Sequence, residues 1–320
     1  MPMDNDFAIT AKSLYGTRSE EMFQGITSFI RRTYTRDLSQ ADVAVMGVPF
    51  DTATTNRPGA RFGPRAIREA SAQLCWARPY GWGFDPFKTL AVVDYGDCPF
   101  DLVKPAQVPD EIEAHARTVV ESGTTLLTLG GDHFVSYPVL KAHHGVHGPV
   151  ALVHFDAHSD TWPSEPGDIE HGTMFYHAAR DGIVVPEHSI QLGIRTHNSD
   201  RRGFAWVEGP ELQMRSADSI ADQIRARVGD LPVYMTFDVD CLDPAYAPGT
   251  GTPVIGGPST AQVLAILRAL KGINLIGMDV VEVSPAYDHA EVTALAAATI
   301  AQQMLCLLAY YRGARPDGEG

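Results

Sequence analysis

VALVHFDAHSD, residues 150–160, changes character at its midpoint, and that change decides how the chain is built. The first half is an apolar run broken only by His154, and the second half sets Asp156, His158 and Asp160 at alternate positions. A short continuous apolar run suits a strand covered on both faces, as in a parallel sheet packed between helices. Six further runs of the same kind lie along the chain: VAVMGV from Val43, TLAVVD from Thr89, TLLTLGG from Thr125, SIQLGI from Ser189, VYMTFD from Val233 and NLIGMD from Asn274. Helix-like segments separate them. EIEAHARTVVES from Glu111 follows Pro109 and Asp110, a proline turn with an acidic cap. Ser259 with Gln262 and Ser219 with Asp222 have the spacing of capping boxes. TALAAATIAQQMLCLLAYY from Thr293 reads as a final helix packed in the domain body or at a subunit contact. The alternation predicts a wound α/β fold in a single domain spanning 1–320, with loosely held tails at about 1–15 and 312–320.

The 320 residues carry a formal charge of -14, with 25 Lys+Arg against 39 Asp+Glu. Such a balance repels nucleic-acid phosphates and anionic membrane surfaces, and it favours a small cationic partner. The N-terminal segment has neither a basic nor an apolar export region, and no apolar run is expected to approach membrane-spanning length. Cys75, Cys98, Cys241 and Cys306 are far apart, which suits reduced thiols and a cytoplasmic location.

In an extended chain, residues two apart point the same way, so Asp156, His158 and Asp160 are expected to converge beyond a strand end. VYMTFDVDCLDP repeats the device with Asp238 and Asp240, and Asp243 is available just beyond. A third run ends in Gly130, Gly131, Asp132 and His133. One D-x-H-x-D motif alone could be solvated turn chemistry. Three strand ends side by side would instead gather six ligands in the crevice where open α/β sheets bind their ligands. Four buried carboxylates need cations, and two divalent ions balance their charge. The oxygen-dominated set of His133, Asp156, His158, Asp160, Asp238 and Asp240 suits two Mn²⁺ better than structural zinc.

Glu282, after the strand from Asn274, is expected to point into the same crevice and pair with a planar cation through two parallel hydrogen bonds. His171 is a candidate proton shuttle on a loop. His143, His144 and His147 read as solvated or helix-end residues, His154 as a satisfied buried histidine, and RPGARFGP from Arg57 as a shaped loop near the site mouth.

GGDHFVSYP, VHFDAHSD, EHGTMF, TFDVDCLDPAYAPGTGTP and GMDVVEVSPAYD together resemble the ureohydrolase family, which contains arginase, agmatinase and guanidinobutyrase; the agmatinase branch is the most similar. The resemblance runs from GVPFDTATTNRPGARFGP to the C-terminal helix. It implies an arginase-like three-layer α-β-α fold with a mostly parallel sheet. It implies metal ligation by the six residues named, with Asp156 and Asp238 bridging, proton transfer by His171 and guanidinium binding by Glu282. It also implies hydrolysis of agmatine to putrescine and urea, and assembly as a homo-trimer or homo-hexamer. The segment TWPSEPGDIE departs from the family pattern. Glu165, Asp168 and Glu170 make it acidic, so Glu165 and Asp168 are expected to favour a substrate with a distal ammonium. The same chemistry on 4-guanidinobutyrate or arginine, a non-catalytic metal-binding homologue, and a deacetylase-like activity remain as alternatives.

Overall fold

A computed structural model describes residues 5–76 and 78–317. All seven apolar runs form strands, and two short strands complete a nine-stranded sheet. In chain order these are β1 (Thr33–Tyr34), β2 (Val43–Val48), β3 (Val92–Asp97), β4 (Thr125–Gly130), β5 (Ala151–Phe155), β6 (Ile190–Ile194), β7 (Ala205–Glu208), β8 (Val233–Asp238) and β9 (Leu275–Val281). Their spatial order is β1-β3-β2-β4-β9-β8-β5-β6-β7, and every neighbouring pair is parallel. The edge strands β1 and β7 have two and four residues. Neither carries a continuous apolar run, so neither is visible in the sequence.

Alternation within the strands sorts side chains between two cores. Val43, Val45, Leu127, Val153, Met235 and Met278 face one layer, with Ile67, Ile224, Leu267 and Leu305 from the helices Gly63–Ser71, Ala217–Val228, Thr260–Ala269 and Val292–Tyr311. Ala44, Met46, Leu126, Leu152 and Tyr234 face the other, with Ile112, Val139 and Phe175 from the helices Val108–Glu121, Ser136–His147 and Met174–Arg180. Period-two alternation on a doubly covered sheet yields these three layers.

Several local expectations need correction. The helix expected from Glu111 begins at Val108, so Pro109 and Asp110 lie in its first turn and neither caps it. Ser259 and Gln262 do form a capping box. Ser219 does not: the extended residue before that helix is Ser216, whose hydroxyl accepts from the Ser219 N–H. The 20-residue helix Val292–Tyr311 has the length and composition to cross a membrane, contrary to the expectation that no run would. It is largely buried against Gly63–Ser71, Thr260–Ala269 and β9, the packing expected of a core helix.

The terminal segments are tied down where the structure describes them. Phe7–Thr10 is helical, with the Asp6 N–H donating to Glu20 at 2.7 Å. At the other end Arg312 reaches Asp42 at 3.0 Å and Ala314 is buried. Residues 1–4 and 318–320 of the expected tails lie outside the described residues. All four cysteines are free and buried.

Candidate metal centre and the cavity above it

The four central strands, in the order β4-β9-β8-β5, deliver the functional residues from their carboxyl ends. β4 and β8 are therefore not neighbours as expected, because β9, which leads to Glu282, lies between them. The chain crosses from β4 to β5 over the gap that β9 and β8 later fill, and such a switch of direction opens a crevice at the strand ends. Gly63 lets the crevice floor close. A Cβ there would lie 2.6 Å from the Val283 carbonyl and 2.9 Å from that of Gly130.

Turns, not strand alternation, aim the acidic groups. β5 stops at Phe155, after which Asp156 Oδ1 accepts the His158 N–H at 2.6 Å. β8 stops at Asp238, whose Oδ1 accepts the Asp240 N–H at 2.7 Å. Both are side-chain-closed turns of the kind aspartate forms readily. Asp160 has φ 51° and Glu282 φ 66°, left-handed values that non-glycine residues adopt at a cost and that cluster at functional sites.

All six sequence-predicted ligands come together. His133 Nδ1 lies 2.9 Å from Asp160 Oδ2, 3.0 Å from Asp156 Oδ2 and 3.3 Å from Asp238 Oδ2. His158 Nδ1 lies 3.0 Å from Asp240 Oδ2 and 3.3 Å from Asp156 Oδ1. Asp156 thus offers one oxygen to each group, and Asp238 offers Oδ2 to the first. Despite three carboxylate oxygens this close, His133 Nδ1 has no partner in hydrogen-bonding geometry. The oxygens surround the nitrogen's lone pair without lying where a ring proton would point. Octahedral coordination at about 2.1 Å sets neighbouring ligand atoms about 3 Å apart, so this donor set fits a divalent cation.

A buried chain behind His133 fixes its tautomer. His133 Nε2 meets Thr236 Oγ1 at 2.8 Å, and that hydroxyl donates to Asp279 Oδ1 at 2.5 Å. The hydroxyls of Ser136 and Tyr234 both donate to Asp279 Oδ2 at 2.7 Å. Because the Thr236 proton is committed to Asp279, its oxygen accepts from His133 Nε2–H and leaves Nδ1 unprotonated toward the carboxylates. His154 is held in the same manner. The Gln191 amide donates to its Nδ1 at 2.9 Å, so Nε2–H donates to Asp156 Oδ2 at 2.8 Å. Both ring nitrogens are satisfied, as expected for a buried histidine, and neither lone pair remains for a metal.

The acids and imidazoles of the cluster perturb one another strongly. Burial opposes the charging of His133, yet Asp156, Asp160 and Asp238 hold its pKa well above the usual range. Burial likewise opposes charging of His158, but Asp240 and Asp156 lift it to about 12. Burial, then the neighbouring Asp156, raises Asp160 to about 6. Burial, then Asp240 and Asp156, pushes Asp238 well above the carboxylate range. Four carboxylates packed this closely cannot all ionise without added positive charge.

A cavity of about 160 Å³ opens above this cluster, lined by Thr55, His158, Asp160, Trp162, Glu170, His171, Gly172, Asp238 and Thr252. His171 is buried, with Nδ1 2.8 Å from Glu282 Oε1 and Nε2 2.8 Å from the Thr55 hydroxyl. The Thr55 N–H also donates to Nε2 at 3.0 Å, which requires a lone pair there. This is the geometry of a neutral ring protonated on Nδ1. Burial disfavours a second proton, but Glu282 outweighs it and lifts the pKa to about 9. Below that value Nε2 carries a second proton, which the Thr55 hydroxyl can turn to accept.

Glu282 is fully buried against the cavity-lining His171. Its Oε1 accepts from His171 and, at 2.8 Å, from the His133 N–H. Its Oε2 has no donor among the described residues, and a Cβ on Gly251 would lie 3.3 Å away.

Glu165 and Asp168, expected to meet substrate, are exposed and close a turn on each other. The Glu165 N–H donates to Asp168 Oδ2 at 2.9 Å, and the Asp168 N–H to the Glu165 carbonyl at 3.2 Å. The acidic group of that segment that does line the cavity is Glu170, with Trp162. Asp243 is no ligand, because Oδ2 accepts the N–H groups of Gly256 at 2.7 Å and Gly257 at 3.2 Å. His143 is a further correction. It is wholly buried, and its ring fills the space where Gly277 lacks a side chain.

The chain belongs to the arginase family, whose model matches residues 41–306. It is an enzyme of the ureohydrolase class. The agmatinase of Chromobacterium violaceum is 54% identical over 305 residues, covering 95% of each chain. The crystal structure of a hypothetical agmatinase from Burkholderia thailandensis is 53% identical, with TM-score 0.94 over 95% of this chain and 98% of that one. Proclavaminate amidino hydrolase from Streptomyces clavuligerus is 37% identical, with TM-score 0.85 over 91% of this chain and 99% of that one.

Proposed function

We propose that this chain hydrolyses agmatine to putrescine and urea with two Mn²⁺ ions. The ions would be held by His133, Asp156, His158, Asp160, Asp238 and Asp240, with Asp156 and Asp238 shared between them. Supporting the metal choice is a donor set of four carboxylates and two imidazoles, hard enough for manganese and free of thiolate. Bound cations would supply water acidified enough to act as a nucleophile near neutral pH.

The observation that carries the substrate reading is Glu282 Oε2, a buried carboxylate oxygen without a donor beside the cluster. A guanidinium presents the paired N–H groups that satisfy a carboxylate best. Glu282 fixes the guanidinium so that water adds to its carbon. The water gives up a proton as it adds, the bond between the guanidinium carbon and the nitrogen that bears the butyl chain then breaks, and His171 Nε2 gives the departing amine its proton. Neutralisation of Glu282 by the bound cation weakens the pull that holds a second proton on His171, which favours that transfer. No lysine or arginine lines the cavity among the described residues, so the carboxylate of arginine or 4-guanidinobutyrate would find no ammonium or guanidinium partner.

The test is urea release from agmatine, 4-guanidinobutyrate and arginine by metal-free and Mn²⁺-loaded protein. Agmatine is expected to be strongly preferred and activity to require metal. Preference for either carboxylate-bearing guanidine would overturn the substrate. No urea from any of them with two metals bound would favour a non-catalytic homologue. The proposal extends to a cytoplasmic location, supported by four free thiols, and to homo-trimeric or homo-hexameric assembly.

A further inference from the structure

The cavity has a mouth that the groups above do not use. Trp162 stands there 46% exposed, beside the half-buried Glu170. A Cβ built on Gly172 would lie 3.6 Å from Trp162 Cδ1 and 3.9 Å from Glu170 Oε1, so indole and carboxylate flank one gap over that glycine. Backbone bonds set both residues in place: the Trp162 N–H donates to the Gly172 carbonyl at 3.1 Å, and the Thr173 hydroxyl to the Glu170 carbonyl at 3.2 Å. Among the described residues the Glu170 carboxylate has no hydrogen-bond or ion-pair partner. A half-buried carboxylate beside an aromatic wall, in a cavity without a basic side chain other than histidine, lacks only a cation.

Resting on the guanidine-hydrolase reading, we propose that Trp162 and Glu170 form the receptor for the cationic far end of the substrate. Glu170 supplies the charge, and the indole supplies an apolar, π-rich wall that a weakly hydrated ammonium and its methylenes can lie against. A substrate ending in a carboxylate would meet Glu170 without compensation, so the pair selects against it as well as for an amine. Selection therefore lies with Glu170, two residues beyond the turn that Glu165 and Asp168 close on themselves.

The deciding experiment compares agmatine with n-butylguanidine, which has the same carbon chain without the terminal ammonium. Steady-state urea release and calorimetric binding are measured on the full, Mn²⁺-loaded chain. Wild type is expected to prefer agmatine by about 10- to 100-fold in kcat/KM, the range of one charge-assisted contact. E170Q should remove most of that preference by raising KM for agmatine, with kcat and the butylguanidine constants little changed. W162L should weaken both substrates but agmatine more. Equal effects of E170Q on the two compounds would overturn the proposal, as would a loss of preference in E165Q/D168N and not in E170Q. If wild type released no urea from either compound, the functional reading would fall by itself. Calorimetric discrimination between the two ligands, and its loss in E170Q, would still decide this one.

Discussion

Thr236→Val removes one hydroxyl from beneath the metal-type cluster and should weaken metal binding without touching a ligand. Thr236 accepts from His133 Nε2 at 2.8 Å and donates to Asp279 at 2.5 Å. The variant leaves a buried ring N–H without an acceptor and a buried carboxylate with two hydroxyl donors in place of three. Each buried group left unpaired costs about 1–3 kcal/mol, so the metal-free protein should lose about 2–5 kcal/mol of stability. His133 also loses the contact that keeps Nδ1 unprotonated, and loss of such an outer partner typically weakens metal affinity about 10- to 100-fold. Chelator competition for Mn²⁺, read beside urea denaturation of the metal-free protein, measures both quantities. Thr236→Ser, which keeps the hydroxyl, should bind within about threefold of wild type. If Thr236→Val bound metal as tightly as wild type while folded, the tautomer argument would be wrong.

Three other perturbations test separate parts of the account. Glu282→Gln should keep its metal and lose at least about 100-fold in kcat/KM for agmatine, as expected when a charged partner of the reacting group is removed; a loss under tenfold would contradict its role. Arg68 grips the buried Asp94 at 2.8 and 3.0 Å, so Arg68→Met leaves a buried charge uncompensated and should cost about 3–5 kcal/mol in denaturant unfolding. A cost under about 1 kcal/mol would show Asp94 to be satisfied by the Phe29 and Gly96 N–H groups alone, which donate to it at 2.8 and 3.0 Å. Burial depresses His143 to about 4, with Nε2 unpartnered. Its folded value lies below the unfolded one of about 6.5, so the unfolded chain binds the extra proton and stability falls as pH drops from 6.5 toward 4, by up to about 3 kcal/mol. His143→Leu should flatten that window, and an unchanged slope would refute the assignment.

The sheet was legible because buried parallel strands write themselves as unbroken apolar runs, and Val43–Val48 and Val233–Asp238 match their runs residue for residue. Thr33–Tyr34 and Ala205–Glu208 escaped because edge strands need no such run. The clustering of the six acidic and imidazole groups was also legible, but by a partly mistaken route. Alternation along an extended strand was the expected device, whereas Asp156 and Asp238 each close a tight turn and Asp160 is left-handed. The groups that orient the cluster left no local trace. Thr236 and Asp279 look like ordinary strand residues until β8 and β9 pair them directly across the sheet. Glu165 and Asp168 were misread for a similar reason. Charge composition locates an acidic segment but not which carboxylate turns inward, and in this chain the turn around Gly167 spends the Asp168 carboxylate on the Glu165 N–H and leaves the Glu165 side chain exposed.

The most direct measurement is metal content and urea release on the same preparations of wild type and Asp156→Ala. Wild type should hold two manganese ions per chain, seen by elemental analysis and by anomalous scattering beside His133 and His158, and should release urea from agmatine. Asp156→Ala should lose metal and turnover together while staying folded. Two ions retained with normal turnover in that variant, or density for manganese elsewhere in the molecule, would contradict the account.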